Sequence, residues 1–156
     1  MTQIVAEQAK QEVVISHEFD ASPDLVYRCY TEPDLVARWW GPRYLTNLVK
    51  IHDARDGGSW RIVQQAPDGT QHGFHGVFHS VEPGRRITRT FEYEGAPGHV
   101  SLETVEFEDL GGGRTRAVGQ AVFQALADRD AMLSSGMESG VREGFERLEE
   151  LLAELS

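Results

Sequence analysis

The chain has 156 residues, of which 40% are hydrophobic, enough for the core of one domain but not of two. Its 25 acidic and 15 basic side chains give a formal net charge of −10 at pH 7, which disfavours nucleic acid and anionic membrane surfaces as partners. The single cysteine, Cys29, excludes an internal disulfide and a cysteine-based metal site, and the sequence shows no signal-like or membrane-spanning apolar run. We therefore expect a cytoplasmic protein that binds neither nucleic acid nor membrane.

The beginning of the chain combines a featureless segment with a clear strand. Residues 1–10 show no hydrophobic period and are predicted to be a loose lead-in to a single domain over residues 11–156. The β-branched run Val13-Val14-Ile15 predicts a first strand at residues 12–19.

Two short helices should follow this strand, because two sites combine a capping residue with an early proline. Ser22-Pro23 predicts a helix ending near Tyr30. Thr31-Glu32-Pro33, with Thr31 as the cap, predicts a second helix ending near Trp39.

Glycine-rich turns separate β-branched and aromatic runs through the middle of the chain, which predicts a meander of antiparallel hairpins. The predicted strands lie near residues 44–52, 59–66, 71–81, 86–94, 99–109 and 114–124. Beyond Asp128, apolar residues spaced three and four apart predict one closing helix of about 26 residues. This order of elements is typical of the α+β class.

Several motifs resemble those of one protein family and occur in the family's order over residues 12–154. The most specific is Ala37-Arg38-Trp39-Trp40-Gly41-Pro42, which follows Phe19-Asp20-Ala21 and Thr31-Glu32-Pro33. The others are Gly57-Gly58-Ser59-Trp60-Arg61, Pro67-Asp68-Gly69, Gly76-x-Phe78-x-x-Val81-x-Pro83 and Gly112-Gly113-Arg114-Thr115. The chain resembles the START-like, or SRPBCC, superfamily and, within it, homologues of the activator of heat-shock protein 90 ATPase.

The resemblance implies a helix-grip fold like that of the birch pollen allergen. In that fold a curved antiparallel sheet of six to seven strands wraps around a long C-terminal helix, with two short helices after the first strand. It also implies a hydrophobic cavity for a ligand, and a chaperone as an alternative partner. It does not imply a reaction, because proteins of this fold include lipid and polyketide binders, cyclases, oxygenase subunits and co-chaperone domains.

Small residues on the last predicted strand indicate open volume beneath the closing helix. Strand alternation places Ala117, Gly119 and Ala121 on the inward face. In the alternative interpretation, bulky neighbours fill that volume: Phe74, Phe78 and Phe91.

Glycines on the closing helix point to the same region. Gly140 and Gly144 flank the apolar stripe that contains Met137 and Val141, although a glycine inside a helix costs about 1 kcal/mol relative to alanine. Either these glycines widen the mouth of a pocket, or they allow the helix to approach the sheet closely.

Tryptophans supply further candidates for the pocket wall. Of Trp39 and Trp40, we expect one in the core and the other at the pocket. Trp60, Ile62 and Gln64 share one strand face and either line the pocket or belong to the core.

Polar candidates for orienting a ligand are Gln64, Arg89 and Glu106. Arg89 shares its strand face with apolar residues, where a buried charge requires a partner. Glu103, Glu106 or a carboxylate of the ligand would supply that partner, unless a bulge turns Arg89 outward.

The sequence contains no pattern typical of a metal site, a cofactor or a catalytic nucleophile. His75 and His79 lie about 13 Å apart on one strand face, too far to share an ion, and are predicted to be surface residues. Binding of a small apolar or amphipathic ligand is our first hypothesis, by a monomer or homodimer. A chaperone-associated interaction module is the second, and a cyclase- or hydrolase-type enzyme using Glu106 is the third.

Overall fold

One antiparallel sheet of eight strands forms the frame of the protein; the structure, a computed structural model, describes residues 2–156. The strands are β1 (Gln3–Val5), β2 (Glu12–Phe19), β3 (Thr46–His52), β4 (Ser59–Gln65), β5 (Gln71–Glu82), β6 (Arg86–Tyr93), β7 (Val100–Gly111) and β8 (Arg114–Phe123). Their order across the sheet is β1-β2-β8-β7-β6-β5-β4-β3. The helices are α1 (Pro23–Thr31), α2 (Pro33–Trp39), α3 (Leu126–Ser134) and α4 (Met137–Leu155). The predicted α+β helix-grip fold is confirmed, with one strand more than expected.

The additional strand, β1, lies inside the segment predicted to be a loose lead-in. Ile4 pairs with Ile15 of β2, so this end of the chain forms the edge of the sheet. The buried guanidinium of Arg129 donates hydrogen bonds to the carbonyls of Glu7 and, at 2.7 Å, of Lys10. Pairing with β2 and the hydrogen bonds from Arg129 hold this segment in place. Neither interaction requires a regular spacing of hydrophobic residues, so the sequence did not indicate it.

The two short helices occur as predicted, but only one has the predicted cap. The hydroxyl of Ser22 accepts a hydrogen bond from the backbone N–H of Leu25 at 3.3 Å. Thr31 is instead the last residue of α1, and its hydroxyl donates to the carbonyl of Tyr27 at 3.0 Å. Glu32 therefore takes the N-cap position of α2, without a side-chain hydrogen bond.

The prediction of one closing helix is wrong, because the chain breaks between α3 and α4. Gly136 has a φ of 84°, a left-handed conformation that interrupts the helix and that glycine adopts without strain. Apolar residues keep their helical spacing on both sides of Gly136, so hydrophobic periodicity alone does not reveal the break.

The buried residues of α4 lie from Gly144 to Leu152, in the middle and C-terminal parts of the helix. Leu148, Leu151 and Leu152 are buried there, whereas Met137 and Val141 in the N-terminal half remain half-exposed. Among residues 2–156, no helix is long and apolar enough to cross a bilayer.

Replacing Gly136 by alanine tests the break between the helices. A side chain at a φ of 84° is strained, so we expect Gly136→Ala to lower the free energy of unfolding by about 1 kcal/mol. Gly140→Ala is the matched control: its Cβ would lie 3.5 Å from Pro42 Cδ, an ordinary contact, so this change should stabilise by up to about 1 kcal/mol. Urea unfolding measures both, and a stabilising Gly136→Ala would indicate a continuous helix.

Candidate functional site

A cavity of about 1000 Å³ lies between the inner face of the sheet and the N-terminal half of α4. Its walls come from β2 to β8 on one side and from all four helices, together with the segment after α2, on the other. Volumes of about 300–1,000 Å³ are typical of pockets for small molecules. The cavity is therefore large enough for a drug-sized ligand.

The small residues of β8 form part of this wall, as the alternation predicted. Ala117, Gly119 and Ala121 all border the cavity. Gly119 lies opposite Ile15 on one side and Val105 on the other, and a Cβ built on it would meet no atom closer than 3.5 Å. The aromatic residues that were the alternative filling border the cavity without closing it: Phe74, Phe78 and Phe91.

On the helical side, the two glycines have different roles. Met137, Gly140, Val141 and Gly144 all border the cavity. A Cβ on Gly144 would lie 3.2 Å from the nitrogen of Gly41 and 3.3 Å from the carbonyl oxygen of Trp39. Gly144 thus allows close approach of two backbones, whereas the ordinary contact at Gly140 leaves space at the cavity wall.

Trp39 and Trp40 both border the cavity, so the expected division between them is incomplete. Trp39 is buried, and its indole N–H donates to the carbonyl of Cys29 at 2.7 Å. Trp40 is half-buried, with its ring edge-on to Trp60 and to Phe74 at centroid distances of 6.1 and 5.2 Å. Trp40 is the more accessible of the two to a ligand.

Three predicted site residues do not border the cavity: Trp60, Ile62 and Glu106. Trp60 and Ile62 are buried in the core, where Trp40 and Arg89 cover the Trp60 ring. Glu106 is exposed on the outer face of β7, 3.7 Å from Arg86, because alternation turns its neighbours Val105 and Phe107 inward.

Arg89 points into the cavity and has a partner there. Its Nε donates to the carboxylate of Glu103 at 3.0 Å, and its Cζ lies 3.9 Å from the centroid of the Trp60 ring. Arg89 and Glu103 are directly opposite each other on β6 and β7. The predicted inward charge is therefore neutralised by Glu103 and not by Glu106.

Gln64 also borders the cavity, but its amide is already engaged by the protein. The Gln64 side chain donates to Asn47 Oδ1 at 3.2 Å and to the carbonyl of Trp40 at 3.4 Å. Its polar atoms therefore hold β3, β4 and the residue after α2 together.

His52 is a buried polar residue of the cavity wall that sequence reasoning did not identify. Its side chain borders the cavity, 8% exposed, and its ring is edge-on to Phe78 at 5.3 Å. Nδ1 lies 3.0 Å from the carbonyl oxygen of Thr31, which can only accept, so Nδ1 carries the hydrogen. Nε2 is then an acceptor, and no group in residues 2–156 forms a hydrogen bond with it.

The charge state of His52 follows from its surroundings. Burial, reinforced by the positive charge of Arg89, lowers the pKa of His52 to about 4, so the ring is neutral at pH 7. Burial also raises the pKa of Tyr30, whose side chain borders the same cavity and keeps its proton.

A β-bulge explains why strand alternation missed His52. Asn47 and Val49 face inward on β3, and strict alternation would continue with Ile51. The register shifts between Val49 and Ile51, so Ile51 faces solvent and His52 faces the cavity.

The opening of the cavity lies at the opposite end from His52. Most exposed residues that border the cavity lie in the loops before β3 and between β6 and β7, in the α3–α4 break and in the first turn of α4: Tyr44, Ala96, His99, Ser135, Gly136 and Ser139. Along β6, Arg89 lies four residues from Tyr93 at this opening, about 13 Å deeper. The cavity is therefore a deep pocket with Arg89, Glu103 and His52 near its floor.

The histidines of β5 have separate surroundings. His75, on the outer face, lies 3.0 Å from Glu94, and His79 is exposed. At the opening, His72 Nδ1 lies 3.0 Å from the Tyr93 hydroxyl. Among the described residues, no three His, Cys, Asp or Glu side chains are grouped to hold an ion.

The buried neutral state of His52 predicts a pH-dependent stability. Since the unfolded chain takes up a proton near pH 6.5 and the folded protein only near 4, the stability that His52 contributes above pH 6.5 is lost as the pH falls to about 4. His52→Asn keeps a donor for the Thr31 carbonyl and removes the titrating ring. Relative to this variant, the wild type should lose up to about 3 kcal/mol of unfolding free energy between pH 7 and 4.

Urea unfolding at several pH values measures this difference. His79→Asn, which removes an exposed imidazole from the outer face, is the matched control. A difference between wild type and His52→Asn that does not change with pH would contradict the neutral, buried imidazole.

Comparison with known proteins places the fold among several bacterial structures. A protein from Arthrobacter aurescens, determined by NMR, is 27% identical with a TM-score of 0.89, over 97% of this chain and 91% of that chain. A crystal structure from Rhodobacter sphaeroides is 25% identical with a TM-score of 0.89, over 98% of this chain and 99% of that chain. A protein from Mycobacterium smegmatis shares the fold at 21% identity and a TM-score of 0.87, over 97% and 96% of the two chains.

The family assignment comes from the sequence. No curated protein matches it. The family model for "Activator of Hsp90 ATPase homolog 1-like protein" matches residues 20–153, which include α1, α2, β3 to β8 and nearly all of α4. The chain belongs to this family.

Proposed function

We propose that the protein binds a small, largely apolar molecule in the cavity between the sheet and α4. The observation that carries the proposal is the open volume of about 1000 Å³ beside Ala117, Gly119 and Ala121. Protein interiors are normally close-packed, and side chains around an open apolar volume lose dispersion contacts. A ligand of matching shape restores those contacts.

The construction of the walls supports a pocket that exists before the ligand arrives. The strands that border the cavity belong to one hydrogen-bonded sheet, and α4 is fixed by the buried leucines of its C-terminal half. Arg147 also donates to the carbonyls of Gly41 and Pro42 at 3.1 and 3.2 Å. A preformed pocket binds without a large loss of conformational entropy.

Filling the cavity from β8 tests the proposal. We expect the wild type to bind the neutral probe N-phenyl-1-naphthylamine with one-to-one stoichiometry and a rise in fluorescence. Gly119→Leu places a side chain into the open volume and should weaken binding at least about tenfold, which corresponds to about 1.4 kcal/mol. Val118→Leu adds volume to the outward face of the same strand and should bind like the wild type.

Two results would contradict the proposal. One is a wild type that binds neither this probe nor any member of a panel of lipids and aromatic compounds. The other is equal binding by wild type and Gly119→Leu, which would locate the probe elsewhere. Thermal unfolding of both variants verifies that any loss of binding does not come from loss of the fold.

A second candidate function is activation of a chaperone ATPase, which the family match over residues 20–153 favours. It predicts that adding the protein raises the ATPase rate of an Hsp90 homologue from the same cell. Gly119→Leu separates the two candidates: a surface interaction would survive this change inside the cavity, whereas ligand binding would not.

A further inference from the structure

We infer that the Arg89–Glu103 pair makes the cavity selective for a neutral polar group that both accepts and donates hydrogen bonds, such as a primary carboxamide, and selective against a carboxylate. The inference rests on the proposed binding function and specifies the ligand's chemistry. It begins from two oppositely charged side chains that border the cavity near its floor. These side chains are 17% and 32% exposed, so a ligand can contact both.

The guanidinium of Arg89 belongs to a layered arrangement on the inner face of the sheet. Trp60 lies across Gly76 of β5, where a Cβ would be 2.6 Å from the indole nitrogen, and its N–H donates to the carbonyl of Thr90 at 3.0 Å. Arg89 covers this indole, with Cζ 3.9 Å from the ring centroid. Since Arg89 borders the cavity and Trp60 does not, the guanidinium lies between the indole and the open volume.

The pair keeps hydrogen-bonding atoms free for a ligand. Its one hydrogen bond joins Arg89 Nε to Glu103 Oε1, so within residues 2–156 neither Nη atom nor Oε2 is engaged. These atoms are accessible, because the one fully buried side-chain nitrogen or oxygen without a partner in the same residues is Nε2 of His52. Both side chains lie on the inner face of the sheet, so a ligand reaches them from the cavity. Ala121, directly opposite Glu103 on β8, leaves room beside the carboxylate.

The balance of charge around the pair determines which ligand group fits. A carboxylate could accept from the Nη atoms, but it would lie beside the carboxylate of Glu103, and an ammonium group would be repelled by Arg89. Burial raises the pKa of Tyr30 and lowers that of His52, so both neighbours are neutral at pH 7 and offset no added charge. A primary carboxamide accepts at its oxygen, donates from its nitrogen and brings no charge. Its hydrogen bonds to the pair are of the stronger, charge-assisted kind.

The wall between the opening and the pair indicates the shape of a suitable probe. Arg89 lies about 13 Å along β6 from Tyr93 at the opening. Phe91 lies between them on the same strand, and Phe74 borders the cavity opposite Tyr93. A flat aromatic body with one polar end fits this wall, and the polar end enters first.

Three matched probes test the inference by isothermal titration calorimetry: 4-phenylbenzamide, methyl 4-phenylbenzoate and 4-phenylbenzoate. They share one apolar body, and their polar ends are neutral with a donor, neutral without a donor, and anionic. The wild type should bind the amide about tenfold more tightly than the ester, which can only accept. It should bind the benzoate most weakly, because this probe carries its charge to Glu103.

Exchanging Glu103 for glutamine should remove the selectivity against the carboxylate. Glu103→Gln keeps the size of the side chain and leaves the charge of Arg89 unbalanced, so 4-phenylbenzoate should bind at least about tenfold more tightly than it binds the wild type. Glu106→Gln is the matched control, since it removes the same charge from the outer face of the same strand and should leave all three affinities unchanged. A gain of binding cannot result from loss of the fold.

The possible outcomes separate the inference from the proposed function. A wild type that binds the amide no more tightly than the ester or the benzoate overturns the selectivity of the pair while leaving a binding protein. A Glu103→Gln variant that gains no affinity for the benzoate does the same. Failure of all three probes and of N-phenyl-1-naphthylamine to bind overturns the binding function itself.

Discussion

The close approach of α4 to the segment after α2 determines how far the helix stands from the sheet. At Gly144 the absence of a side chain lets α4 reach the backbone of Trp39 and Gly41. Arg147, one turn further, donates to two carbonyls of the same segment, and Leu148 is fully buried beside it. One half of the helix is thereby fixed, and the other half extends over small residues of β8 and leaves the cavity open.

The interior that results is polar at one end without carrying net charge. The chain has a formal charge of −10, yet at the cavity floor Arg89 is paired with Glu103 and His52 is neutral. An unpaired charge in such a place would cost several kcal/mol, which explains why this pair is held by a direct cross-strand register. Leaving Nε2 of His52 without a hydrogen-bond partner destabilises the fold much less, by about 1–3 kcal/mol.

Local rules of sequence predicted the parts of the fold that depend on local chemistry. The glycine turns set the hairpins, Ser22 caps α1, and alternation on β8 places Ala117, Gly119 and Ala121 at the cavity. The turns depend on the conformational freedom of glycine, the cap on the hydroxyl of Ser22, and the inward face of β8 on the two-residue repeat of a strand. Each of these can be recognised from residues that are close in sequence.

The features that escaped prediction depend on long-range pairing or on a single residue's conformation. β1 is ordered by β2 and by Arg129, from the other end of the chain. The bulge in β3 reverses the faces of Ile51 and His52 with no mark in the sequence. Arg89 pairs with Glu103 and not with Glu106 because of the register between β6 and β7, which becomes defined only when the sheet is assembled.

The left-handed residue between α3 and α4 also has a kinetic consequence. α3 borders the opening, and its one buried residue, Arg129, donates to the carbonyls of Glu7 and Lys10. Displacing α3 would break these hydrogen bonds but would expose little apolar surface. On the proposed function, a ligand that leaves past α3 meets this local barrier, while the core around Leu148 and Trp60 stays intact. In that case the residence time of the proposed ligand and the lifetime of the folded state have separate barriers, and a mutation in α3 changes the first without changing the second.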